Sequence, residues 1–208
     1  MSRFYTDSEE LFHSITPAIG AILAAVGAVW LLLQAVSDGD PWRVISLAIY
    51  GVTLVSLYTI SALYHGVTTA DLKARLRVMD HSAIYFFIAG SYTPFLLLPL
   101  RGPVGWVLSG LIWALAVGGV VYKLTLLDRF PRLSTLLYLG MGWLALVAVV
   151  PLVQRLSLAT LAWVVAGGLI YSLGTLVYHM NRVRYHHVVW HLFVLGGSVC
   201  HFVAIARL

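Results

Sequence analysis

The chain has 208 residues, of which 61% are hydrophobic and only 10% charged, with a formal net charge of +5. So little charge excludes an ordinary soluble domain of this size and makes the bilayer the expected solvent. The basic residues stand singly between apolar runs, which excludes a nucleic-acid interface, and the lone cysteine, Cys200, excludes an internal disulfide and a thiolate-rich metal site.

The opening stretch MSRFYTDSEE is polar and mixed in charge, with no basic region leading into a short apolar core and cleavage site, so no signal peptide is expected. Seven apolar runs follow, near 14–36, 43–66, 79–99, 104–122, 134–152, 157–179 and 186–206. Each is long enough to cross about 30 Å of hydrocarbon as a helix of roughly 20 residues. Their apolarity is continuous, whereas barrel strands alternate and are about half as long. The breaks carry turn signals: SDGDP at 37–41, LRGP at 100–103, DRFPR at 128–132 and NRVR at 181–184. The longest break, Gly66 to Val78, holds Lys73, Arg75 and Arg77. No linker or repeat interrupts the chain. The expected fold is an all-α integral membrane protein of seven transmembrane helices, one domain over residues 1–208.

Lys and Arg set the orientation. The N-terminus and the second, fourth and sixth loops carry nine of them: Arg3; Lys73, Arg75, Arg77; Lys123, Arg129, Arg132; Arg182 and Arg184. The opposite side carries four, Arg43, Arg101, Arg155 and Arg207. The positive-inside bias therefore puts the N-terminus in the cytoplasm and, after seven spans, the C-terminus outside. Trp42, Trp106, Tyr138 and Trp190 near span ends fit interfacial anchoring.

That topology sorts the polar residues. His65 ends the second span, Asp80 and His81 begin the third, and His187 and His191 fall in the first two turns of the seventh. All share one depth near the cytoplasmic face. His187 and His191 are four apart, so on a helix they stack on one face and can reach one metal ion. A four-coordinate site needs a further ligand, and His65 is the candidate. Three imidazoles suit Zn²⁺ and leave one position for water, the arrangement of a catalytic site. The residues between the paired histidines are Val188, Val189 and Trp190, so a general base must come from another helix. Asp80 is the carboxylate at that depth, although it could instead pair with Arg77 one turn earlier. Ser61, one turn before His65, either serves the site or bonds back to a helix carbonyl. His201 lies about 15 Å beyond His191 along a helix and should not bind the same ion. His13, His179 and His186 are read as supporting or structural residues.

The residues S-x3-H at Ser61–His65, MDHSAIYFFIAGSYTPF with Asp80, and H-x3-H at His187–His191 stand in order across seven spans. Together they resemble the hemolysin III family, the bacterial branch of the progestin and adiponectin receptor group, whose wider superfamily includes alkaline ceramidases. The likeness runs from EELFHSITPAIG to HHVVWHLFVLGGSVCHF. It implies a zinc ion held by His65, His187 and His191, with Asp80 acting through its bound water and Ser61 nearby, in a protein of the bacterial inner membrane. One departure is visible: the opening motif commonly reads SITH, and here it is SITP with Pro17. The function expected is zinc-dependent hydrolysis of a lipid amide or ester, with membrane lipid as substrate or ligand. The alternative is a non-enzymatic membrane-homeostasis or pore-forming protein with structural zinc.

Overall fold

The computed structural model describes residues 7–126, 131–180 and 184–208. These form eight α-helices and one 3₁₀ segment, with no strand among the described residues: α1 (Asp7–Asp38), α2 (Pro41–Gly66), α3 (Ala70–Leu97), α4 (Pro103–Leu126), α5 (Pro131–Gly142), the 3₁₀ segment Trp143–Ala148, α6 (Val149–Arg155), α7 (Leu158–Tyr178) and α8 (His186–Ala206). Six helical stretches are long and apolar enough to cross a membrane, α5 to α6 counting as one. The breaks at 128–132 and 181–184 fall largely outside the described residues.

Three features differ from the sequence expectation. First, α1 begins at Asp7 rather than near 14, which places Glu9, Glu10 and His13 on a helix. Second, the expected long break from Gly66 to Val78 is mostly helix. Only residues 67–69 lie outside α2 and α3. The stretch ADLKARLR is polar but consists mainly of strong helix formers, so it extends α3 by about two turns instead of looping. Its charges, with Asp80, keep α3 out of the six apolar helices. Yet α3 is the helix the others surround: Tyr85 and Ala89 are fully buried, and α3 packs against α2, α4, α5 and α8. Close approach on both flanks needs glycine, since a Cβ on Gly90 would strike Thr53 and one on Gly119 would strike Tyr85.

Third, the run expected at 134–152 is broken. Pro151 lacks the N–H that would bond the carbonyl one turn earlier, and its ring crowds that carbonyl, so the α-helical ladder fails over the preceding turn. Tyr92 of α3 repairs the break. Its hydroxyl donates to the carbonyls of Gly142 at 2.7 Å and Met141 at 3.0 Å, and accepts from the backbone N–H of Ala145 at 2.8 Å. Backbone groups left unsatisfied in hydrocarbon are costly. Tyr92→Phe is therefore expected to destabilise the bundle by about 1–3 kcal/mol, read as a lower melting temperature in detergent. A melting curve matching wild type would mean the break is held by other contacts.

The helices close on themselves. Consecutive helices pack as neighbours, and α8 returns to lie against α1. The start of α1, the end of α2 and the start of α8 thereby meet at one end of the bundle.

Candidate metal centre

α2 stays regular to its last turn, and His65 stands one residue before its end, 5% exposed. α8 starts abruptly. Tyr185 sits in the left-handed region at φ +56°, which turns the chain so that the first helical residues, His186 and His187, enter the bundle at once. The Tyr185 N–H donates to Glu9 Oε1 at 3.4 Å, and its ring meets Phe12 edge-on with centroids 6.1 Å apart. The turn that launches the histidine pair is thus held by α1.

The imidazoles of His65, His187 and His191 converge, with a nitrogen of each within 4.8 Å of the others. Ring centroids are 5.0 Å apart for His65–His187, 5.3 Å for His65–His191 and 4.6 Å for His187–His191. The Nε2 atoms of His65 and His187 face each other at 3.2 Å. Two nitrogens bound at 2.0–2.1 Å with a tetrahedral angle would be about 3.3–3.4 Å apart, so this spacing suits a shared ion. The tautomer of His65 agrees. Its Nδ1 lies 3.2 Å from Glu10 Oε2, and an ionised carboxylate only accepts, so Nδ1 carries the proton and Nε2 presents its lone pair. His191 Nε2 is buried and has no hydrogen-bond partner among the described residues, the state of an imidazole nitrogen intended for a cation.

Residues that sequence reasoning set aside complete the surroundings. Glu10 bridges His65 and Lys73, whose Nζ donates to Oε1 at 3.0 Å. Lys73 belongs to the unforeseen extension of α3. His13, fully buried, sits between the sides of the cluster, 5.1 Å from His65 and 4.8 Å from His187 by ring centroids. Glu10, His13 and His65 form a second group of potential ligands. The signal was in the sequence: His13 follows Glu9 by four residues and Glu10 by three, ahead of the first apolar run, so on a helix either carboxylate lies beside His13. Pro17, where the family motif commonly has His, is buried one turn further along α1, so the α1 contribution to the cluster comes from the turn before it.

The other candidates lie around this centre. Ser61 is buried one turn before His65. Asp80 is half-buried on α3 with its carboxylate 3.8 Å from His81 Nδ1, and no hydrogen bond or ion pair joins it to the three imidazoles. His81 donates to the Arg77 carbonyl at 2.7 Å. His179 pairs with Thr135 at 3.2 Å, and His201 reaches the Val164 carbonyl at 3.3 Å, away from the cluster.

Residues 5–202 match the family model described as Haemolysin-III related. The chain is 44% identical over 201 residues to the Hemolysin-3 homolog of Bacillus subtilis (strain 168), covering 97% of this chain and 94% of that protein. It is 42% identical over 197 residues to Hemolysin-3 of Bacillus cereus, covering 95% and 90%. The Monocyte to macrophage differentiation factor of Homo sapiens is 33% identical over 205 residues, covering 95% and 83%. With six apolar helices and a family match over nearly its whole length, the chain belongs to the haemolysin III family and is a multi-pass membrane protein.

Proposed function

We propose that this protein is a seven-span, zinc-dependent hydrolase of a lipid amide or ester. In this reading α3 supplies the remaining span, the metal end of the bundle faces the cytoplasm, and the C-terminus lies outside. The 28 residues of α3 and the nine-to-four distribution of Lys and Arg support this. The observation that carries the chemistry is the convergence of three imidazoles from α2 and α8 on one point. Three neutral nitrogens are a zinc donor set, and bound zinc would acidify a water and polarise a carbonyl.

The protein's own groups have separable tasks. His65, His187 and His191 hold the ion. Glu10 fixes the tautomer and direction of His65, and Lys73 fixes Glu10. Asp80 takes the proton of the attacking water, and Ser61 hydrogen-bonds beside His65. Glu10 is spoken for by two hydrogen bonds, which leaves the base role to Asp80. The test is metal analysis of purified protein followed by incubation with ceramides and phospholipids and lipid mass spectrometry. About one zinc per chain with release of fatty acid supports the reading; zinc without turnover of any lipid removes the hydrolase.

A second reading has one observation in its favour. No direct contact joins Asp80 to the imidazoles, whereas zinc would bind α2 to α8 whatever Asp80 does. In that case the ion is a clamp and the protein a non-enzymatic membrane factor.

Two outcomes arise from the site itself. Chelation should lower the melting temperature and zinc should restore it, because an ion that binds only the folded state stabilises it by mass action. Identical melting with and without zinc would mean the site is empty. Glu10→Ala should weaken zinc binding by roughly 10–100-fold, the usual effect of losing a carboxylate behind a ligand histidine, and Glu10→Gln, which keeps an acceptor oxygen, should recover much of it. Equal affinities across the three proteins would take Glu10 out of the site.

A further inference from the structure

At the opposite end of the bundle, Arg43, Arg101, Arg155 and Arg207 line a single cavity of about 360 Å³. Arg43 begins α2, Arg101 lies in the turn between α3 and α4, Arg155 ends α6 and Arg207 caps α8, so the fold and not the local sequence assembles them. The volume falls in the range of small-molecule sites, about 300–1,000 Å³. Asp38 pairs with Arg43 at 3.0 Å, and Asp40 lies 3.8 Å from Arg101. Arg155 and Arg207 form no ion pair among the described residues.

Backbone dipoles add to this field. The N-terminus of α7, a helix of 21 residues capped by Ser157, opens onto the same cavity, whereas that of α2 is capped by the Asp40 carboxylate. Helix N-termini favour anions. Thr160 is 2% exposed, so part of the lining is built and not merely surface. Beside the cavity, Trp42 and Trp106 pack edge-on with centroids 5.0 Å apart, each partly exposed. Indoles of this kind mark headgroup depth.

We propose that this cavity is a phosphate-binding site, and that in the membrane it takes the headgroup of an anionic phospholipid. Guanidinium forks match phosphate oxygens two at a time, and such a ligand supplies the missing negative charge at the level where phospholipid phosphates lie. The site is independent of the histidine cluster, which the 26 residues of α2 separate from it by about 36–39 Å.

The test uses the full chain in detergent micelles at low salt, where charge screening is weakest. Native mass spectrometry would compare retention of phosphatidylglycerol with that of phosphatidylcholine, and calorimetry would titrate inorganic phosphate. Wild type should retain phosphatidylglycerol saturably and in preference to phosphatidylcholine. Arg155→Gln with Arg207→Gln should weaken that retention by roughly 10–100-fold, with lysine at both positions falling between. Phosphate binding lost in the glutamine variant, without lipid preference, would still support the site and make its ligand a free anion. Melting temperatures would confirm folding, and if the double variant melts early, the single Arg207→Gln decides. A wild type that binds neither ligand saturably, or a folded variant that binds both as wild type does, overturns the proposal.

Discussion

On the proposed zinc reading, replacing His65, His187 or His191 with alanine is expected to leave purified protein with less than about a tenth of the wild-type zinc, while His201→Ala retains it. The expected size follows from the donor count. Three imidazoles give the ion most of its coordination shell, and removal of one leaves a two-ligand site in which protein nitrogen must be replaced by water. The contrast with His201 follows from geometry. That ring is spent on the Val164 carbonyl and packs against Gly167, where a Cβ would strike it, so its loss loosens the α7–α8 contact without touching the cluster. The expected penalty for His201→Ala is a lower melting temperature at full zinc. Metal analysis by mass spectrometry on the four variants checks this. Equal zinc loss in His201→Ala and His191→Ala would mean that the ion is elsewhere.

On the proposed hydrolase reading, Asp80→Asn is expected to retain zinc and to lose lipid turnover by roughly 10²- to 10⁴-fold, the usual contribution of a general base. Asparagine keeps the size and one acceptor oxygen but cannot take a proton. Asp80 sits on α3, which packs against both helices that carry the imidazoles, and its carboxylate makes no direct bond to them. Its action therefore passes through water, and its removal leaves the donor set intact. The structural reading forecasts another pattern, a drop in zinc affinity of about 10–100-fold with any cellular phenotype following zinc content. Zinc stoichiometry and turnover measured on one preparation separate the two. Full zinc with full turnover would dismiss Asp80 from the chemistry, and a comparable loss in Glu10→Gln would move the base to Glu10.

The site was legible where its signal is local and hidden where it is not. His187 and His191 share a face because of helical period alone, and His65 fell beside them once the apolar runs were threaded back and forth. Glu10 escaped and His13 was read only as supporting or structural, because their meaning depends on α8 closing against α1, a contact that no window of sequence contains. The extension of α3 escaped because polarity was read as a break, although Ala, Leu, Lys and Arg are good helix formers whose charges can find partners such as Glu10. The broken run was visible in principle. Pro151 was present, but a proline in an apolar stretch can start a turn as readily as end one, and only Tyr92 reveals which backbone groups came free.

The closure of α8 on α1 also fixes when the site can exist. His65 and His187 are 122 residues apart in the chain, and α8 is the last helix formed. At 5–20 residues per second, the ribosome delivers the second ligand on the order of ten seconds after the first. Until then, His65 of α2 can meet only Glu10 of α1, itself paired with Lys73 of α3, and the two histidines of α8 are missing. On the proposed zinc reading, metal capture would be a late event of biosynthesis, because a nascent chain stalled after α7 lacks two of the three imidazoles.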